Sequence, residues 1–95
     1  MSKLVLAQAL KLIEAGWRQW TEATDKEGNP VERHSPLAAN YCIMGALGKV
    51  TPNYNDAVAK LRKHVDCGLS TWNDVRGRTK EEVVYLFRKA IDECS

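Results

Sequence analysis

The sequence has few cysteines, few prolines and no long apolar run. Among its 95 residues are 3 cysteines and 3 prolines, and aromatic residues make up 7%. The longest nearly uninterrupted apolar segment, Leu37 to Leu47, is much shorter than the roughly 20 residues of a membrane-spanning helix, so we expect no membrane span. Hydrophobic residues (44%) and charged residues (27%) are balanced as in globular domains, which excludes disordered and collagen-like chains. We expect residues 1–95 to form a single globular domain.

The cysteines indicate the redox compartment of the protein, and the net charge bears on whether its partner is a polyanion. Cys42, Cys67 and Cys94 are odd in number and form no C-x-x-C, which favours reduced thiols in a cytosol over a secreted disulfide framework. The N-terminus has no basic segment followed by a cleavable apolar one, so we expect a cytoplasmic protein. The net charge of +2 is too small to indicate a polyanionic partner by itself.

The hydrophobic pattern predicts a mainly α, α+β fold: a compact bundle of about four helices, with a short β-hairpin between the first and second helix. Apolar residues recur at helical spacing in three segments. Ser35-Pro36 and Thr51-Pro52 are typical helix starts, and Thr79-x-x-Glu82 is a capping box before the last helix. The predicted elements are a first helix capped by Ser2 and ending at Gly16, hairpin strands at residues 20–24 and 31–33, a second helix over residues 37–47, a third from Pro52 to near Gly68, and a last helix capped by Thr79.

The second helix is expected to be the central element, because Asn40 is its only strongly polar residue. Gly45 within it lowers helix propensity by about 1 kcal/mol relative to alanine, which indicates that another backbone passes close by. One shared core is therefore predicted, containing Leu10, Ile13, Ile43, Leu47, Leu61, Trp72 and Phe87.

Residues 69–78 lack periodicity and are predicted to be an ordered connector, anchored in the core by Trp72. Within it, Asn73 and Asp74 suit local Asx-type turns, and Gly77 suits a positive φ. Arg76 and Arg78 have no such structural role in the connector. We expect them either to pair within the chain or to contact an acidic or phosphate-bearing partner.

Two patterns, Cys42-Ile-Met-Gly-Ala-Leu47 and Trp72-Asn-Asp-Val-Arg-Gly-Arg-Thr79 followed by Glu82-Val83, resemble a family of small uncharacterised proteins of actinobacteria and bacteriophages. Its members often have C-x-x-G-A-[LI] and then W-N-D-x-x-G-R-T-x-x-E-V. The resemblance extends from Gly16 to Ala90. It implies a bacterial or phage, cytoplasmic setting and carries no catalytic activity.

No residue pattern in the chain favours an enzyme or a cofactor site. Cys42 with His34 or His64 is a conceivable nucleophile and base, but an apolar segment surrounds Cys42, which favours an inert thiol. His64 and Cys67 have a ligand-like spacing, yet His34 and Cys42 do not form the matching short pair of a structural zinc site. We therefore expect no catalytic residues, no metal and no cofactor.

Two functions remain, and the first is a protein-protein interaction module with an unidentified partner. Tryptophan and arginine are enriched where proteins bind, which predicts a docking surface of Trp17, Trp20, Trp72, Arg76 and Arg78, with Trp20 the most exposed. The alternative is a nucleic-acid-binding accessory protein that uses Lys49, Lys60, Arg62 and Lys63 together with the two connector arginines, with weak binding expected. The sequence leaves homo-oligomerisation open.

Overall fold

The computed structural model describes residues 2–94, which form five helices and one two-stranded sheet. In chain order the elements are α1 (Ser2–Ala15), β1 (Ala23–Thr24), β2 (Asn40–Tyr41), α2 (Ile43–Val50), α3 (Asn55–Arg62), α4 (Leu69–Asn73) and α5 (Lys80–Glu93). The expected domain also includes Met1 and Ser95, which lie outside the described residues. No helix between residues 2 and 94 combines the length and the apolar character needed to cross a bilayer.

The core forms where α1 packs against both α2 and α5. Five of the seven predicted core residues are buried, and the other two, Leu10 and Trp72, are half-buried and pack against the core. Burial of each large aliphatic or aromatic side chain contributes about 1.5–3 kcal/mol relative to exposure, so this cluster provides most of the favourable packing energy. The predicted shared core is confirmed, as is the mainly helical α+β fold.

The predicted sheet between α1 and α2 is present, but its second strand was placed wrongly. β1 pairs antiparallel with β2, with Ala23 opposite Tyr41 and Thr24 opposite Asn40. The segment expected as the second strand, residues 31–33, makes no ladder; near it, Pro30 forms an isolated bridge with Thr24. Pro30 has no N–H to donate, which limits pairing at this point.

Helix α2 begins at Ile43, so the predicted helix over residues 37–47 is wrong for residues 37–42. The backbone of Tyr41 bonds on one side with Gly16 and Arg18, at 3.0 Å each, while β2 pairs with β1 on the other side. Extended residues 40–41 thus satisfy their backbone groups through distant segments, which sequence periodicity does not reveal. Cys42 follows as the N-cap of α2.

The remaining helix predictions are partly wrong and partly confirmed. Helix α3 ends at Arg62 rather than near Gly68, and a short helix, α4, occupies part of the connector that was expected to be irregular. Ser2 lies inside α1 rather than preceding it as a cap. The capping box of α5 is present as predicted: Thr79 Oγ1 accepts from the Glu82 backbone N–H, and Glu82 Oε1 accepts from the Thr79 backbone N–H at 2.9 Å.

Gly45 of α2 packs directly against another backbone, as its position in the sequence predicts. A Cβ atom added at Gly45 would collide with the carbonyl oxygen of Glu22. The close approach lets the chain before β1 pass across the N-terminal half of α2, and it fixes the position of the segment that carries Trp20.

Candidate functional site

Residues 17–20, called here the tryptophan loop, lie against the connector. The Trp17 indole Nε1 donates to Asn73 Oδ1 at 2.8 Å, across 56 residues of sequence. Gln19 Nε2 donates to the backbone oxygens of Asn73 and Val75 at 3.0 and 2.9 Å. The tryptophan loop and the connector therefore lie side by side.

Asn73 is the centre of this contact and is fully buried. Its Oδ1 accepts from Trp17 Nε1 and from the Ile43 backbone N–H at 3.2 Å, and its Nδ2 donates to the Arg18 carbonyl at 3.1 Å and to Asp74 Oδ1 at 2.9 Å. All four hydrogen bonds of the amide are made. The predicted local Asx-type turn at Asn73 is wrong, because its partners are mainly distant residues of the tryptophan loop and α2.

Trp20 is the most exposed large hydrophobic residue among residues 2–94, at 72%. It is also held in place: its backbone N–H donates to Asp74 Oδ1 at 2.8 Å, and its indole Nε1 donates to the Asp74 carbonyl at 3.1 Å. Its φ of 70° lies in the left-handed region, which costs a residue with a side chain about 1–2 kcal/mol. The chain thus holds a solvent-facing indole in a fixed and strained conformation. The expectation that Trp20 is the most exposed of the three tryptophans is confirmed.

The Trp20 ring lies between two clefts, and we call the ring with these clefts the Trp20 surface. The Arg18 cleft has a volume of about 580 Å³ and the Cys42 cleft about 260 Å³. The Arg18 cleft is lined by Trp17, Arg18, Gln19, Trp20, Thr21, Thr24, Gly28 and Pro30. The Cys42 cleft is lined by Trp20, Thr21, Glu22, Arg33, Cys42, Met44, Gly45, Ser70 and Asp74.

The Arg18 cleft combines apolar walls with one charge. Trp17 and Trp20 contribute indoles, and Arg18 is the only charged residue of its lining. The Arg18 guanidinium lies over Gly28, where an added Cβ would come within 2.7 Å of Nη2. Gly28 has a φ of +90°, so the turn at residues 25–29 favours glycine there for its backbone conformation.

The Cys42 cleft places a thiol at the start of α2. Cys42 Sγ accepts a hydrogen bond from the Gly45 N–H at 3.2 Å. Burial raises the pKa of the Cys42 thiol, against the opposing effect of that bond, so the thiol is protonated at neutral pH. Arg33 in the same cleft pairs with Glu22 at 3.3 Å, and neither histidine lines the cleft. The arrangement is that of a helix cap rather than an activated nucleophile.

Trp72 and Arg78, two members of the predicted docking set, contact each other. The Arg78 guanidinium carbon lies 3.8 Å from the centroid of a Trp72 ring, and Arg78 also bonds to the Trp72 carbonyl and to Glu82. Gly77, which lies between Trp72 and Arg78 in the sequence, has a φ of +88°, as its place in the connector predicts. Arg76, in contrast, is exposed and forms no ion pair within residues 2–94.

The four basic residues of the alternative site lie at the C-terminal ends of two helices. Lys49 is in the last turn of α2, Lys60 and Arg62 are in the last turn of α3, and Lys63 is its C-cap. Cations at helix C-termini interact favourably with the exposed carbonyls, so these positions have a structural explanation.

Two of the four residues considered as metal ligands have other partners: His64 Nε2 bonds to Glu93 Oε1 at 2.8 Å, and Cys42 caps α2. His34 is exposed and Cys67 is half-buried. Within residues 2–94, no three His, Cys, Asp or Glu side chains are grouped to hold a metal ion.

Sequence reasoning identified Trp20 but missed what holds it. Asn73 and Asp74 bind the tryptophan loop, Arg18 lines the larger cleft, and none of these three was among the predicted docking residues. The available signal was the Trp-Asn-Asp tripeptide itself, since a polar pair directly after an anchoring tryptophan suits buried hydrogen bonding.

The three residues of the W-N-D pattern thus have different contacts. Trp72 packs against the core, Asn73 hydrogen-bonds with the tryptophan loop, and Asp74 accepts two hydrogen bonds from Trp20. No curated protein and no solved structure matches the chain. A protein-family model does match, over residues 2–93, and its description is "Family of unknown function". The chain therefore belongs to the family of unknown function DUF6197.

Proposed function

We propose that this protein is an interaction module that docks a larger protein through the Trp20 surface. The observation that carries the proposal is Trp20: the residue is 72% exposed, yet its backbone N–H and its indole N–H both donate hydrogen bonds to Asp74. Tryptophans are enriched among the few residues that dominate binding energies at interfaces. A partner that covers this ring gains apolar burial without ordering a mobile side chain.

The conformation of Trp20 supports the same function. A left-handed φ at a residue with a side chain reduces stability, and such strain recurs where a chain holds a group ready for a ligand. Because a cleft lies on each side of the ring, side chains of a partner can pack into both clefts and around the ring.

The setting that we propose is the cytoplasm of a bacterial cell, with a bacterial or phage protein as the partner. This part of the proposal depends on the resemblance of the C-x-x-G-A-L and W-N-D-x-x-G-R-T patterns to actinobacterial and phage proteins. An odd number of cysteines without a C-x-x-C supports a reducing compartment.

The test is affinity capture from a lysate of the source organism with the wild-type chain and with Trp20→Ala. We expect Trp20→Ala to lose a protein that the wild type retains, because the ring supplies the central apolar contact. Tyr85→Ala is the matched control, since Tyr85 is an aromatic residue 64% exposed on α5 and outside both clefts. Retention of every partner by Trp20→Ala would contradict the proposal.

Thermal unfolding of the same variants separates binding from folding. Trp20→Ala removes one exposed hydrogen bond, which contributes about 0.5–1.5 kcal/mol, so the variant should stay folded. A large fall in melting temperature without a binding defect would assign Trp20 to the fold instead.

A further inference from the structure

Within residues 2–94, the guanidinium of Arg18 has no carboxylate partner. Arg33, Arg78 and Arg88 each form an ion pair, whereas Arg18 forms none with any described acid. Arg62 and Arg76 also form no ion pair with the described residues, but only Arg18 among these three lines a cleft beside Trp20. An unpaired arginine in a concave, aromatic-walled site is a strong donor for an anionic group.

Nothing else in the lining of the Arg18 cleft neutralises this charge. The remaining residues contribute indoles, hydroxyls, an amide, a glycine and a proline ring, and no acid. Asp25, in the turn that carries Gly28, uses its carboxylate within that turn: Oδ1 accepts from the Glu27 and Asn29 backbone N–H groups at 3.0 and 2.9 Å. The cleft is therefore complementary to a ligand that offers one negative charge and an adjacent apolar group.

We propose that the Trp20 surface binds an acidic peptide segment, with a carboxylate on Arg18 and a neighbouring apolar side chain against Trp20. This inference depends on the proposed function and specifies the chemistry of its partner. The Arg18 guanidinium lies over Gly28 at the edge of the cleft, within reach of a ligand that also contacts Trp20.

The test uses two synthetic peptides of six residues, one alternating glutamate with leucine and one alternating lysine with leucine. Each is titrated into the ¹⁵N-labelled full chain while the indole N–H signal of Trp20 and the amide of Gly28 are followed. We expect the glutamate peptide to shift both signals in a saturable way and the lysine peptide to leave them in place. Arg18→Gln should weaken binding by about tenfold, the effect of losing one charge-assisted pair.

Arg62→Gln is the matched control, because it removes an exposed arginine that lines neither cleft. Its affinity should equal that of the wild type. Equal binding of both peptides, an unchanged affinity of Arg18→Gln, or no saturable shift with the glutamate peptide would each overturn the inference.

Two other occupants are distinguished in the same experiment. Tighter binding of a short oligothymidylate than of the glutamate peptide would assign the surface to nucleic acid, and self-association abolished by Trp20→Ala would assign it to a second copy. Either result overturns the acidic-peptide inference. Loss of partner capture by Trp20→Ala together with no peptide binding leaves the proposed function intact while this inference fails.

Discussion

A buried asparagine connects the tryptophan loop to the connector. Asn73 makes four hydrogen bonds, to the tryptophan loop, to α2 and to Asp74. In a low-dielectric interior a fully satisfied amide specifies one arrangement of its neighbours, whereas an unsatisfied group is costly. The fixed position of Trp20 therefore depends on a residue that does not contact solvent.

Replacing Asn73 by leucine should destabilise the fold by about 3 kcal/mol or more. Leucine has a similar volume but leaves the Trp17 indole N–H, the Ile43 N–H and the Arg18 carbonyl without partners, each at about 1–3 kcal/mol. Urea unfolding measures the change. Asn53→Leu, at an exposed position, is the control and should change stability little. Equal effects of the two variants would contradict the role of Asn73.

Gly45→Ala should destabilise the protein by about 2 kcal/mol or more, because its Cβ would collide with the Glu22 carbonyl and the backbone must move. Gly68→Ala is the matched control: nothing lies within 4 Å of an added Cβ, and its φ is −61°. A gain from the less flexible unfolded chain and a loss at the N-cap position of α4 should nearly cancel there, within about 0.5 kcal/mol. Thermal or urea unfolding distinguishes the two glycines.

At the scale of elements, local signals predicted helices better than strands. The Thr79 capping box is encoded within four residues, so the start of α5 was predictable from the sequence. The predicted helix over residues 37–47 was too long, because the backbone groups of residues 40–42 hydrogen-bond with the segments around Gly16 and Glu22 instead of forming a helix. Such pairing depends on the tertiary arrangement, and an apolar run does not distinguish a buried strand from a buried helix.

The capping box should make stability depend on pH in the acidic range. The Thr79 backbone N–H, and to a smaller extent Arg78, lower the pKa of Glu82 below its ordinary value of 4.5. A lowered folded-state pKa stabilises the protein above the unfolded value, and this contribution is lost as the pH falls through the folded value. We expect wild type to exceed Glu82→Gln in unfolding free energy at neutral pH, with the difference shrinking below pH 4.5.

Unfolding by urea between neutral pH and about pH 3 measures this difference. Glu81→Gln is the control for loss of an acid in the first turn of α5, since Glu81 is not part of the capping box. A constant difference between wild type and Glu82→Gln across the range would show that the carboxylate does not act through its charge.

At the scale of the whole molecule, the candidate site lies where distant parts of the chain meet. Composition identified tryptophans and arginines as candidate anchors, and the exposure of Trp20 followed from its place outside the periodic helices. The two clefts could not be predicted from the sequence, because they form only when the tryptophan loop packs on Asn73–Val75 and the turn at Gly28 lies under Arg18. The Trp-Asn-Asp tripeptide suits buried hydrogen bonding, but it does not indicate which residues, more than 50 positions away, are the partners.

The distribution of charge over the molecule argues against strong binding to duplex DNA. Of the six basic residues considered for nucleic acid, Arg78 is held by Trp72 and Glu82, and Lys60 is half-buried. The remaining charges, Lys49, Arg62, Lys63 and Arg76, are divided among α2, the end of α3 and the connector. Affinity that comes from phosphate contacts falls steeply with salt, by roughly one power of the salt concentration for each contact.

We therefore expect a fluorescent 20-base-pair duplex to bind weakly at low salt and to lose its anisotropy signal by about 150 mM salt. A double variant, Arg62→Gln with Lys63→Gln, should weaken the low-salt binding. It should also reduce the slope of log affinity against log salt concentration by about two, because two phosphate-binding cations are removed. Trp20→Ala is the control and should leave the duplex affinity unchanged, since the docking surface and the basic helix ends are separate parts of the chain. Sub-micromolar, sequence-selective binding at about 150 mM salt would instead make nucleic-acid binding the better explanation of this protein, because specific complexes retain that affinity at physiological salt.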